Sequence, residues 1–436
     1  MESSLTVPKK INFIKLCSIL VILIPPALIT GPFIPDLFLT VSSIIFFFIC
    51  VKEKKLNNFN NFFFKFFFIF WIYLMLISLS SENILPSLKV SIFYIRFGVF
   101  CILVKYLISE DKKFVNYFFY VLIFSIIIIS FDAYIQYFNG SNILGFKAEG
   151  SRISGMFGDE LILGSYLARI LPLTLAFFFL KKFTLKSSLV LFFLIIFVEI
   201  VVIITGERTA IGLITLSTII FLIFANNIKM LRLICFALVL FITFIIFSSN
   251  PTTKNRILED TMMELGISEN KQMQLNFEGV DPILGDFYLF SPKHQSMIIT
   301  SFNMFRDKLI FGHGPKSFRY KCEDKKYSHN KWSCSTHPHN NLSQLLSETG
   351  LLGFCFYLTI IIYFVKNLFK DLKLKLKKKE YYNNYQICLI VSIILSLWPL
   401  IPSGNIFNNW ISIVFYLPVG FYLNSINNKS NASNNF

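Results

Sequence analysis

Residues 186–224 read KSSLVLFFLIIFVEIVVII, TGERTA, IGLITLSTIIFLIF, so two apolar runs flank six small or polar residues, Thr205 to Ala210. Each run is about the length of helix that crosses a hydrocarbon core, where a helix keeps every backbone N–H and C=O of a single segment paired internally. The stretch therefore reads as two membrane helices joined by a very short polar turn. Outward from it the same pattern recurs, giving twelve apolar stretches at about 11–30, 36–51, 62–80, 87–106, 114–136, 161–180, 186–204, 209–225, 229–248, 345–366, 385–402 and 405–424. Composition agrees: of 436 residues, 55% are hydrophobic and 15% charged, and the mean hydropathy is +0.63, too apolar for a soluble chain. The 53 phenylalanines, with runs at Phe46–Phe48 and Phe62–Phe64, read as filler for lipid-facing surface rather than stacking platforms.

The basic residues set an orientation. Lys9 and Lys10 precede the first stretch, and Lys52/Lys54/Lys55, Lys105/Lys112/Lys113, Lys181/Lys182/Lys186, Lys229/Arg232 and the run from Lys370 to Lys379 follow the even-numbered stretches. Short segments on the other side are poor in Lys and Arg. By the positive-inside rule both termini are expected in the cytoplasm, and the formal charge of +16 is an orientation signal, with no nucleic-acid partner implied. The first stretch is long for a signal-peptide core and lacks a small-residue cleavage site, so it is expected to be retained.

The expected fold is thus an all-α polytopic membrane protein with about twelve transmembrane helices. Residues 1–248 carry nine of them, 249–344 form a long extracytoplasmic loop, 345–424 carry the last three, and 425–436 read as a disordered cytoplasmic tail. A structureless loop of that length is unusual, so it should hold short helices, Met297–Phe305 being a candidate. Its charges nearly balance, with cations from Lys254 to Lys331 set against Glu259, Asp260, Glu264, Glu269, Glu278, Asp281, Asp286, Asp307, Glu323 and Asp324.

Six cysteines lie in or beside apolar stretches and behave as small hydrophobes. Cys322 and Cys334 instead fall in the long loop, either as a disulfide closing a short segment or as two free thiols. All five histidines, His294, His313, His329, His337 and His339, lie in the same loop. Neither HExxH nor CxxC accompanies them, so neither a metal site nor another cofactor is expected. Within the apolar stretches, Arg96, Asp132, Arg169 and Glu199 stand out because charge in lipid is costly. They either line a polar cavity or neutralise one another, Arg169 with Glu199 for example.

Three polar, Gly-punctuated segments share the extracytoplasmic side: Thr205–Ala210; Gly312-His313-Gly314-Pro315-Lys316-Ser317-Phe318-Arg319; and His337-Pro338-His339-Asn340-Asn341, running on to Gly350-Leu351-Leu352-Gly353. Upstream lies Arg152-Ile153-Ser154-Gly155-Met156-Phe157-Gly158. Together these resemble the O-antigen ligase and polymerase superfamily of bacterial envelope glycosyltransferases, with its G-x-G-x-x-x-F element, its H-x-H-N-like element ahead of a Glu-x-Gly-x-x-Gly turn, and its arginine in a T-G-x-R setting. The resemblance covers residues 150–355 and implies a GT-C-like fold. It departs at one place: family members often carry an arginine some ten residues ahead of a helix in the loop, where Lys293 or His294 stands here, and neither offers arginine's bidentate fork.

The resemblance implies a multi-pass protein of the bacterial inner membrane with its active site on the periplasmic face. The donor would be a glycan on undecaprenyl diphosphate, needing no cofactor, and the acceptor lipid A-core or a lipid-linked repeat unit, with membrane lipids around them. Arg208 would meet the leaving diphosphate, unless it is an interfacial anchor or a partner of Glu207. His339 would be the base for a sugar hydroxyl, unless it only orients the following helix. Arg152, Arg169, Lys316, Arg319, His337, Asn340 and His294 are the candidate substrate-binding residues, Asn340 equally well a helix cap and Lys316 and Arg319 equally well solvated loop charge. Ligase, polymerase and a transporter or flippase for lipid-linked sugar all remain open. A midplane site between repeats would favour transport.

Overall fold

The computed structural model describes residues 13–111, 113–264 and 290–433. Lys9, Lys10, Lys112, Glu269, Lys271, Glu278, Asp281 and Asp286, which entered the charge count, lie outside the described residues. Among those described the chain is helical, with no strand and two isolated bridges, Ser141–Lys147 and Glu149–Arg152.

Each of the twelve apolar stretches falls on a helix. The first is split into α1 (Phe13–Ile22) and α2 (Ile24–Ile29), because Pro25 and Pro26 lack the N–H that would continue the ladder. Then come α3 (Phe33–Lys52), α4 (Phe62–Leu79), α5 (Ile84–Glu110), α6 (Phe114–Asn139), α7 (Leu163–Phe177), α8 (Leu185–Ile204), α9 (Arg208–Phe224) and α10 (Lys229–Ser249). In the long loop, α11 (Pro292–Asp307) covers the expected Met297–Phe305 helix. The last three are α12 (Asn341–Leu376), α13 (Asn384–Leu397) and α14 (Asn409–Ser433). Helix α14 runs on through Ser433, so the described part of the segment expected as a disordered tail is helical. Among the described residues seven helices, α3, α4, α5, α6, α8, α10 and α12, are long and apolar enough to cross a membrane, and α1, α7, α9 and α13 are shorter apolar helices.

The ionisable groups inside the bundle are paired, as the cost of an isolated charge in a low-dielectric medium requires. Arg96 meets Asp36 at 2.7 Å, and Asp132 accepts from Asn142 Nδ2 at 3.1 Å and Ile143 N at 3.0 Å. Glu199 pairs with Arg232 at 2.6 Å, both nearly inaccessible. This corrects the expected Arg169–Glu199 pair: α8 packs along α10, which presents Arg232, whereas Arg169 on α7 donates to its own helix at Ser165 O, 3.0 Å away.

The backbone of α12 breaks at Gly350, whose φ of 62° and ψ of −169° are non-helical. A break in an apolar helix leaves carbonyls above and N–H groups below without partners, and they must be paired by neighbouring chain. Residues 309–314 do this. His313 N and Gly314 N donate to Ser347 O and Glu348 O at 3.0 and 2.8 Å, and Leu351 N and Leu352 N donate to Leu309 O and Ile310 O at 2.8 and 3.3 Å. The contact is tight enough that a Cβ on Gly312 would sit 2.5 Å from Gly350 N, and one on Gly350 2.3 Å from Ile310 O. The Gly312-His313-Gly314 segment is therefore the missing strip of α12's hydrogen-bond ladder.

Parts of the described segment 292–334 pack beside this joint. Cys322 and Cys334 are joined in a disulfide with Cα atoms 4.9 Å apart, and Met304, Phe318, Cys322 and Tyr327 form a small core of their own. Tyr327 donates to Asp307 at 2.7 Å and Lys326 pairs with the same carboxylate, which holds it at about 2, well below its usual range. His313, read with the other histidines, is buried against Met304 O at 2.9 Å and serves this packing.

Two outcomes follow. Alkylation of intact protein should add mass at Cys322 and Cys334 only after reduction; labelling without reductant would contradict the bridge. Gly350→Ala combines a left-handed φ with backbone overlap, so it should destabilise the protein by roughly 2 kcal/mol or more. A thermal-unfolding scan in detergent would read this as a lowered midpoint, while Ala at exposed Thr359 on the same helix should leave the midpoint unmoved.

Candidate functional site

At the end of the bundle that carries 137–160, 205–208, 250–264 and 290–340, the turn between α8 and α9 is fixed by Glu207. Its carboxylate accepts from Gly164 N at 2.7 Å, Ser165 N at 3.0 Å and Ser165 Oγ at 2.7 Å, at the N-terminus of α7 where the helix dipole favours an anion. Arg208 opens α9 and reaches Thr261 Oγ1 at 3.4 Å. Gly206, with φ of +65°, lets two further arginines close in: a Cβ there would lie 3.8 Å from Arg152 Cγ and 3.6 Å from Arg256 Cγ. Gln136 Oε1 shapes the Arg152-Ile153-Ser154-Gly155 turn by accepting from Ser154 N and Gly155 N at 3.1 and 2.7 Å. Burial, with help from Arg256 and Arg208 and against Glu207, pulls the Arg152 guanidinium below its ordinary range, as expected where cations crowd. Arg169 lies one turn into α7 from Ser165, on the bundle side of Glu207.

The histidines approach from the other side. His339 sits just ahead of α12 at a left-handed φ of 53°, a costly conformation for a residue with a side chain. It is held by clamps on both sides. Asn340 caps α12 by accepting from Ser343 N at 3.0 Å and donates to Pro399 O at 2.6 Å. Ser403 N donates to His339 O at 2.8 Å, Ser403 Oγ donates to Asn341 Oδ1 at 2.8 Å, and His337 Nε2 lies 3.3 Å from Ser403 O. The rings form a row. His337 and His339 have centroids 3.9 Å apart, and His294, from the first turn of α11, is 5.2 Å from His339. Its neighbour Lys293 instead lies over the Trp332 ring at 4.2 Å, so of the two residues at the position where the resemblance expects an arginine, His294 is the one facing the row.

All three are held neutral. Burial, then the neighbouring His339, draws His337 down to about 3. Burial, then His339 and Arg208, draws His294 down to about 4. His339 is lowered by burial. Arg208 is thus an electrostatic neighbour of His294 as Arg319 is of His337, and the row stands between two sources of positive charge. Lys316, at a left-handed φ of 61°, is half-buried beside Arg319, which is exposed. The arrangement supplies unprotonated imidazoles next to fixed guanidiniums, a setting suited to taking a proton from a hydroxyl while stabilising a departing anion.

The structure thus brings Arg152, Arg208, His294, His337, His339 and Asn340 into one neighbourhood, with Lys316 and Arg319 beyond His337 and Arg169 below Glu207. Sequence reading missed Arg256, which lies in a helical turn with no motif around it, and Ser403, Pro399 and Ser396, whose backbone clamps the histidine turn without any side-chain signature.

Residues 189–358 match the family model described as O-antigen ligase. The match runs from within α8 to just past the break in α12 and contains Arg208, His294, Lys316, Arg319, His337 and His339, while Arg152 and Arg169 precede it. No curated protein matches the chain. Among the described residues the fold is all-helical, with seven helices long and apolar enough to cross a membrane, and over residues 189–358 the chain is similar to the O-antigen ligase family.

Proposed function

We propose that this protein is a twelve-span inner-membrane glycosyltransferase with both termini in the cytoplasm and its site on the periplasmic face, moving a glycan from undecaprenyl diphosphate to lipid A-core. The observation that carries the reading is the meeting of His294 and His339, ring centroids 5.2 Å apart and from separate segments, with the charge of Arg208 felt at His294. A transporter would want its polar site near the midplane.

In this reading Arg208, Arg152 and Arg256 receive the donor's diphosphate. His339, neutral at working pH, accepts the proton of the acceptor hydroxyl as its oxygen bonds to the anomeric carbon and the bond from that carbon to the diphosphate oxygen breaks. The departing diphosphate carries the displaced electron pair into the guanidinium cluster, and the imidazolium later returns its proton to water. Arginine supplies the charge stabilisation, so the transfer runs without metal or cofactor. His294 and His337 fix the His339 ring, Asn340 fixes its backbone, and Arg169 supports Glu207 from below.

Arg208→Ala and His339→Ala should each lower transfer by roughly 10²–10⁴-fold while the protein remains folded in the membrane. The assay offers purified protein the lipid-linked glycan with lipid A-core or with a second lipid-linked unit; wild-type rates in both variants would defeat the assignment, and elongation of the second unit alone would make the protein a polymerase. Because the folded-state pKa of His339 is depressed, the base stays unprotonated as pH falls through the ordinary histidine value of 6.5. The acid limb of kcat/KM should therefore lie below pH 6.5, and a limb above it would exclude His339 as the base.

A further inference from the structure

A second feature, an apolar one, lies within the helical bundle. An apolar groove of about 440 Å³ runs between α4, α5, α12 and α14, from Asn341 at the site end past Phe70, Phe356 and Phe415 to Lys105 at the other. Along α12 it reaches from Asn341 to Phe364, roughly 35 Å of helix and so about a full hydrocarbon thickness. Its walls are almost wholly hydrocarbon and aromatic, suited to a chain and not to a sugar.

Cations gather around the start of α5, the helix that gives Tyr94 and Lys105 to the groove wall. The Gly314–Pro315 turn rests on the start of α5, where Ser87 Oγ donates to Pro315 O at 2.7 Å, so Lys316 and Arg319 sit over the helix that presents Lys89 two residues on. Lys316 feels the charges of Arg319, Lys89 and Arg96. Arg96 is committed to Asp36, but Lys89, Lys316 and Arg319 form no ion pair among the described residues. The carboxylate of Glu348, whose charge Lys316 also feels, is bound by Phe318 N at 3.1 Å and Gln344 Nε2 at 2.9 Å.

We propose that the acceptor lipid docks here, a chain of lipid A-core in the groove and an acceptor phosphate among Lys89, Lys316 and Arg319, so that donor and acceptor reach His339 from opposite sides. This rests on the transfer reading above. Unpaired cations over a membrane-length apolar groove match a phosphate-bearing lipid, and the guanidinium cluster for the donor is on the other side of the row. Both substrates are anionic, and two separate cation sets hold them apart from each other's charge until the hydroxyl and the anomeric carbon meet.

The test uses full-length protein in nanodiscs with p-benzoylphenylalanine replacing Thr359, an exposed groove residue, and radiolabelled lipid A-core, undecaprenyl diphosphate or phosphatidylglycerol as probe. Preferential photolabelling by lipid A-core is expected. Preferential labelling by undecaprenyl diphosphate, or equal labelling by phosphatidylglycerol, would overturn the assignment. Alongside it, Lys89→Gln should raise KM for lipid A-core roughly tenfold, the loss of about one charge-assisted contact, and leave KM for the donor unchanged. A shift in donor KM alone would overturn it too. Photolabelling needs no turnover, so wild-type protein that ligates nothing sinks the transfer reading, whereas ligation with the wrong probe in the groove sinks only this inference.

Discussion

The structure turns on the break in α12. A membrane helix interrupted at Gly350 is tolerable only because residues 309–314 donate to Ser347 and Glu348 and accept from Leu351 and Leu352. That exchange ties the long loop to the bundle through backbone hydrogen bonds, which leave little freedom of register. Everything that depends on where the loop sits inherits this joint: α11 and its His294, the cation-bearing Lys316–Arg319 turn, and the disulfide-bridged Cys322–Cys334 segment. The glycines are there for space, since neither Gly312 nor Gly350 can accept a Cβ without meeting backbone.

Charge in the molecule falls into two populations. In the interior it is matched pair by pair, Glu199 with Arg232 and Arg96 with Asp36, and contributes architecture by avoiding an isolated ion. At the site end cations crowd together, with Arg256 paired to Asp260. Arg152, Arg208 and Arg256 converge around a single glycine, and the one buried carboxylate among them, Glu207, is bound to the N-terminus of α7. Clustered guanidiniums repel one another, so such a cluster is stable only where other interactions fix its backbone, and a passing anion relieves it.

Much of this was legible in the sequence, for identifiable reasons. Apolar stretches carry their own evidence, because lipid demands that every backbone group be paired within the helix, and the helices fall where hydropathy put them. The Gly312-His313-Gly314 and Gly350 signals were visible too, although what joins them, a shared hydrogen-bond ladder, is a long-range fact with no local trace. Pairing inside the bundle was not legible: α8 packs against both α7 and α10, and only the side-chain geometry sets Arg232 rather than Arg169 against Glu199. Arg256 escaped notice because an arginine in an unremarkable polar turn looks like any solvated loop residue. The choice between Lys293 and His294 depended on helix phase, which aims one at Trp332 and the other at His339.

The clamp on the histidine turn comes from the connection between α13 and α14, where Pro399 and Ser403 hold Asn340 and the His339 backbone, beyond the last residue of the family match. The machinery most easily transplanted by alignment is thus missing the part that keeps His339 in its left-handed conformation. Grafting residues 189–358 into a relative would move the imidazole without its splint, and the last two helices work as a mould in which that residue is cast.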